Sequence, residues 1–132
     1  MVIDTSALVA ILLDEPERRS YNESIEAADS RLMSVATFVE ASIVLEARYG
    51  AEGLSALDRF IERAEIELAP VDLEQARVAR EAFSRFGKRR HAAALNFGDC
   101  FSYALARVLG ETLLFKGSDF SRTDIRPSQA PA

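Results

Sequence analysis

Short apolar runs alternate with helix-length segments along the whole chain. Residues 1–3, 32–33, 66–71 and 112–115 read as strands, and Ile125 is a candidate for one more. Residues 5–13, 15–29, 34–49, 54–64, 72–86 and 96–109 read as helices. Ser34, Asp72 and Asn96 are suited to cap helix starts, and Gly50, Gly87 and Gly110 to close helix ends. Short apolar strands separated by helices imply a parallel sheet covered on both faces. The expected fold is therefore α/β and three-layered, with four to five strands. In such sheets ligands bind at the carboxyl ends of the strands.

The chain has 132 residues, which fits one domain. That domain is expected over residues 1–126, with 127–132 as a flexible C-terminal tail. The single cysteine, Cys100, leaves no internal disulfide and no cysteine-based zinc site, and fits a reducing cytoplasm. The opening apolar run is broken by Asp4 and Asp14 and has no basic residues before it. A signal peptide and a membrane span are therefore not expected.

Several acids stand where acids are unusual. Asp4 directly follows the first strand. Glu40 shares a helix face with Ala36, Ile43, Val44 and Ala47, an apolar surface that reads as core-facing. An unpaired carboxylate there would cost several kcal/mol, about 2–7 for a buried polar group alone, or be forced to protonate, and a nearby cation, an arginine or a metal, removes the problem. Asp99 lies three residues after Asn96, the spacing of a capping box, beside Gly98, which permits close approach. Asp119 follows the last strong strand by a few residues. Each position has an ordinary explanation, as a cap or a loop residue or, for Glu40, as a buried salt bridge to an arginine. Together they place two acids past strands and two on inward helix faces. Grouped carboxylates repel, and hard divalent cations that prefer oxygen ligands reverse that cost. An acidic pocket for Mg²⁺ or Mn²⁺ is expected.

Other chemistries find no support. The one histidine, His91, sits in a basic stretch without a nucleophile elbow. No phosphate-binding loop or dinucleotide fingerprint is present. Metal-assisted hydrolysis remains the leading enzymatic option. The net charge of −5 is not the usual footprint of a nucleic-acid binder. Setting the four acids aside leaves 17 acids against 16 bases. No acid occurs between Glu81 and Asp99, a window that holds Arg85, Lys88, Arg89, Arg90 and His91. These residues are candidates for phosphate-backbone contact, or else form a solvated basic connection. Phe83, Phe86 and Phe97 are expected in the core.

The segments MVIDTSALVAIL, SVATFVEASIVLEAR, LNFGDCFSYALA and LLFKGSDF, in this order, resemble the PIN-domain superfamily, and more narrowly the VapC-type toxins of toxin–antitoxin pairs. The resemblance covers essentially the whole chain. It implies a three-layer α/β/α sandwich and a metal-dependent endoribonuclease that cuts tRNA or ribosomal RNA. It places the family's four acids on Asp4, Glu40, Asp99 and Asp119, and its polar helpers on Ser6 and Asn96. On these positions Asp4 and Asp99 are expected to hold one metal directly, with Glu40 binding it or orienting a metal-bound water, and Asp119 completing the pocket or helping to bind a second ion. Ser6 and Asn96 position water or phosphate. A VapB-type antitoxin and a homodimer are the implied partners. The alternatives are a non-enzymatic module whose acids hold a partner's basic tail, and a metal-dependent phosphatase.

Overall fold

A computed structural model describes residues 1–128. The elements run β1 (Val2–Ile3), α1 (Thr5–Leu12), α2 (Arg18–Ala27), β2 (Leu32–Ser34), α3 (Val35–Tyr49), α4 (Ala51–Arg63), β3 (Glu67–Ala69), α5 (Leu73–Phe86), α6 (Phe97–Leu109) and β4 (Leu113–Leu114). A short 3₁₀ turn spans Phe120–Arg122.

The four strands form one parallel sheet in the order β3-β2-β1-β4. Successive strand residues face opposite sides, so each two-residue strand feeds two cores. Val2 and its partner Leu113 enter one core with Ala79, Ala82, Phe86, Tyr103 and Leu105, under α5 and α6. Ile3 and its partner Leu114 enter the other with Leu8, Ile11, Met33, Leu45 and Leu57, under α1 to α4. The expected three-layer arrangement is thus present, with four strands.

The caps fall where composition puts them. Ser34 Oγ accepts from the Ala36 N–H at 3.2 Å and Asp72 Oδ1 from Gln75 N–H at 2.8 Å. Gly110 closes α6 in the left-handed conformation, φ 66°. Asp14, with φ 56°, ends the first helical run early, so α2 begins only at Arg18.

Three expectations are corrected. Ile125 does not form a strand. The parallel bridge to β4 falls on Pro127, with Leu113 N–H donating to Arg126 O and Ser128 N–H to Leu113 O. Pro127 and Ser128 are therefore held against the sheet edge and do not begin a tail, while residues 129–132 lie outside the described residues. Of the three phenylalanines expected in the core, only Phe86 is buried. Close α5–α6 packing uses Ala79, Ala82, Cys100 and Ala104, and the bulkier Phe83 and Phe97 lie at the rim of a cleft of about 360 Å³. Among the described residues no helix is long and apolar enough to cross a membrane.

Candidate carboxylate site

All four candidate acids lie at the carboxyl end of the sheet, for reasons of topology. Asp4 ends β1. The helices that return across a parallel sheet start at that same edge, which brings the early turns of α3 and α6 there with Glu40 and Asp99. The loop after β4 brings Asp119. β1 has β2 on one side and β4 on the other, so the acids stand at the crevice where strand order reverses.

Asp4 is 2% exposed and caps α1. Its Oδ2 accepts from Ser6 N–H at 3.0 Å and from Ser6 Oγ at 2.7 Å, and its Oδ1 accepts from Ser102 Oγ at 2.6 Å. Ser6 Oγ in turn accepts from Lys116 N–H at 2.9 Å, tying the loop after β4 to the start of α1. The Ser6 hydroxyl, expected to orient water or phosphate, is thus committed to Asp4 and this loop.

Asp99 is half-buried. The capping box read from the sequence is present: Asn96 N–H donates to Asp99 Oδ2 at 3.0 Å, and Asp99 N–H to Asn96 Oδ1 at 2.9 Å. The box uses one carboxylate oxygen of Asp99 and leaves the other. Burial pushes the Asp99 carboxyl up to about 7, against the Asn96 N–H, which lowers it, and the charges of Asp4, Asp119 and Glu40 add to the rise. The other three acids are therefore all close enough to be felt at Asp99.

Glu40 is half-buried on α3, and its carboxylate rests against Gly98. A Cβ at position 98 would stand 2.5 Å from Glu40 Cδ and 2.8 Å from its Oε1. The absent side chain at Gly98 is what admits this carboxylate. Glu40 does not, however, share a core-facing surface as its periodicity predicts. Its face is apolar but not core-facing: Ile43 is 64% exposed, and Val44 and Ala47 are also exposed. α3 buries Thr37, Ala41 and Leu45 instead and presents Val35, Val39 and Ile43 outward. Periodicity identifies an apolar face but does not say whether this chain covers it. The arginine partner also considered for Glu40 is absent among the described residues.

Asp119 is exposed at the start of the 3₁₀ turn and makes no capping hydrogen bond. Among the described residues, Glu40 and Asp119 accept no hydrogen bond and form no ion pair.

The donor set suits a hard divalent cation: all four groups are carboxylates, and three of them keep oxygens without protein donors. Among the described residues no three acids already stand at the spacing that grips an ion. Their mutual repulsion, visible at Asp99, opposes closer approach, and a cation would reverse it.

The basic stretch forms a pinned loop bordering this end of the molecule. Gly87 bridges Leu95, Lys88 N–H donates to Leu95 O at 2.8 Å, and Leu95 N–H to Phe86 O at 2.9 Å. Arg122, three residues past Asp119, donates to Ala92 O at 3.0 Å and joins the loop to the Asp119 segment. Lys88 and Arg89 project from the loop exposed, and Arg90, also exposed, lies over the Phe83 ring at 5.6 Å. Arg85 is engaged differently, over the Phe86 ring at 4.6 Å and 3.7 Å from Asp124. His91 uses Nδ1 to accept from Ala93 N–H at 2.9 Å, which fixes it as a loop brace.

Four residues near the site went unassigned from the sequence: Thr37, Ser102, Lys116 and Glu15. Thr37 Oγ1 and Ser102 Oγ are 3.1 Å apart and buried. Each lies one helical turn from a candidate acid, a spacing that marks them once the acids are suspected. Lys116 pairs with Glu15 and, at 3.2 Å, with Glu17, and these partners raise its pKa. This long-range pairing leaves no local pattern.

Comparison with known proteins identifies the family. The PIN domain family model matches residues 1–126. The chain is 50% identical over 131 residues to Ribonuclease VapC30 of Mycobacterium tuberculosis, covering 99% of this chain and 100% of that one. It is 52% identical over 125 residues to Ribonuclease VapC of Mycolicibacterium smegmatis, covering 95% and 97%. Among solved structures, M. tuberculosis VapC20, described as a Sarcin-Ricin loop cleaving toxin, superposes with a TM-score of 0.73 at 19% identity, covering 96% of this chain and 98% of that one. VapBC2 from Rickettsia felis superposes with a TM-score of 0.74 at 16% identity, covering 96% and 94%. On the near-full-length match of sequence and fold, the chain belongs to the PIN-domain family, among its VapC-type ribonucleases.

Proposed function

We propose that this chain is the toxin of a VapBC-type pair, an endoribonuclease that hydrolyses phosphodiester bonds of structured RNA, tRNA or rRNA, with Mg²⁺ or Mn²⁺. The observation that carries this reading is the gathering of Asp4, Glu40, Asp99 and Asp119 at one end of the sheet, where burial, and then the charges of the other three, raise Asp99. The names of the relatives at 50% and 52% identity, both ribonucleases, support RNA as the substrate class.

Asp4 and Asp99 would hold the cation, with Glu40 and Asp119 completing its oxygen set. When bound, such an ion makes water more acidic and offsets charge on the phosphoryl oxygens. Ser6 keeps Asp4 in one rotamer through two hydrogen bonds. The Asn96 carbonyl oxygen holds the helix start, and its exposed NH₂ remains to meet a phosphate oxygen. Lys88, Arg89 and Arg90 would draw the RNA backbone toward the acids despite the net negative charge. The exposed apolar row Val35, Val39 and Ile43 on α3, beside Glu40, supports a protein partner there, whether an antitoxin or a second copy.

Substituting Lys88, Arg89 and Arg90 together by Gln tests the RNA path. RNA affinity, measured by anisotropy with chelator present, is expected to fall across unrelated sequences. The slope of log affinity against log salt should shallow by about 2, at roughly 0.7 per lost phosphate contact on single strands. An unchanged slope would remove this loop from the RNA path. Small phosphate esters assayed beside RNA separate nuclease from phosphatase: turnover of esters without RNA cleavage would favour the latter.

A further inference from the structure

We infer that Thr37 and Ser102 form a buried hydroxyl relay that fixes the orientation of Asp4 and thereby the spacing of the acids. The inference rests on the metal-dependent reading of the site. Ser102 is fully buried and its Oγ is 2.6 Å from Asp4 Oδ1. A carboxylate only accepts, so Ser102 donates its proton to Asp4. Ser102 Oγ can then only accept from Thr37 Oγ1, 3.1 Å away, and Thr37 donates. Both proton directions follow from the one acceptor at the end of the chain.

The positions of the two hydroxyls are informative. Thr37 precedes Glu40 by three residues on α3, and Ser102 follows Asp99 by three on α6. The relay therefore joins the three elements, β1, α3 and α6, that present Asp4, Glu40 and Asp99. Serine and threonine inside helices commonly bond back to the carbonyl four residues earlier. Ser24 and Ser42 do so in this chain, onto Ser20 O at 3.1 Å and Phe38 O at 2.7 Å. Thr37 and Ser102 do not, and reach across between helices to a carboxylate. Two buried hydroxyls are costly unless satisfied, and here each finds its partner along the line that ends at Asp4. Neither touches substrate, so both act as positioning residues, in the way that outer partners orient metal ligands.

The test is Mn²⁺ affinity of the purified full chain, by calorimetry, with thermal melts in parallel. Ser102→Ala is expected to weaken Mn²⁺ binding about 10- to 100-fold. Thr37→Val should weaken it less, because Ser102 keeps its bond to Asp4, and Thr37→Ser should restore wild-type affinity. The double variant should bind no more weakly than Ser102→Ala alone, since Thr37 acts through Ser102. Lowered melting temperatures with wild-type Mn²⁺ affinity would overturn the relay and leave a packing role only. Additive losses in the double variant would overturn the order of the relay. Should Ser102→Ala not fold, Thr37→Val against Thr37→Ser decides, equal affinities overturning the proposal. Wild-type protein that binds no Mn²⁺ overturns the metal site itself, whereas normal wild-type binding with unaffected variants overturns the relay alone.

Discussion

Asp99→Asn is expected to abolish RNA cleavage while leaving the metal-free protein at least as stable at pH 8. The activity loss should reach at least about 1,000-fold, or about 4 kcal/mol of barrier, as a cation ligand becomes a neutral amide. The stability effect has the opposite sign because of the local electrostatics. Burial and the charges of Asp4, Asp119 and Glu40 hold the Asp99 carboxyl near 7 in the folded chain, well above an ordinary aspartate. Between about pH 4 and 7 the folded state therefore binds the proton more tightly than the unfolded state. Stability from this group is full below the unfolded value and is lost as pH rises through about 7. The Asn side chain keeps an oxygen to accept from Asn96 N–H without the charge. Melts of metal-free protein from pH 5 to 8 should fall in the wild type and flatten in Asp99→Asn. The lowered carboxyls Glu17 and Glu111 act below this window, where their contribution is lost on acidification. A wild-type melting temperature that rises steadily from pH 5 to 8 would contradict the electrostatic picture of Asp99.

Gly98→Ala should also separate function from stability. Alanine is the better helix residue, by about 0.8–1 kcal/mol at an interior position. Its Cβ, however, would fall on the Glu40 carboxylate, the flexible end of a long side chain that can move away. The helix start thus survives and Glu40 is displaced from the other acids. Cleavage is expected to fall on the order of 100-fold, the scale of a misplaced group near 1 Å, with melting temperature unchanged or raised. Equal activity of Gly98→Ala and wild type would show that the position of Glu40 against Gly98 is not used.

Much of this architecture was legible in the sequence. The alternation of short apolar runs with helices suffices for a parallel sheet, and with Ser34, Asp72, Asn96 and Gly110 it places several helix ends within a residue. The acids were visible because each stood out from its neighbours, and ordered together they resembled one family. What stayed hidden was tertiary. The apolar face of α3 around Ile43 has the pattern of a core face, yet this chain leaves it uncovered. Thr37 and Ser102 gain meaning only when β1, α3 and α6 converge. Lys116 meets Glu15 and Glu17 across about a hundred residues of chain, which no local pattern encodes. Pro127 and Ser128 read as a polar end segment, although Arg126 O and Ser128 N–H, on either side of Pro127, complete the edge beside Leu113.

The most direct measurement is cleavage of a panel of structured cellular RNAs by the purified protein, with Mg²⁺, with Mn²⁺ and with chelator, beside Asp4→Ala. The four-carboxylate site predicts discrete cleavage with either cation, none in chelator and none from the folded Asp4→Ala variant. Cleavage that persists in chelator or in Asp4→Ala would contradict it, as would a folded, Mn²⁺-binding protein that cuts no RNA in the panel.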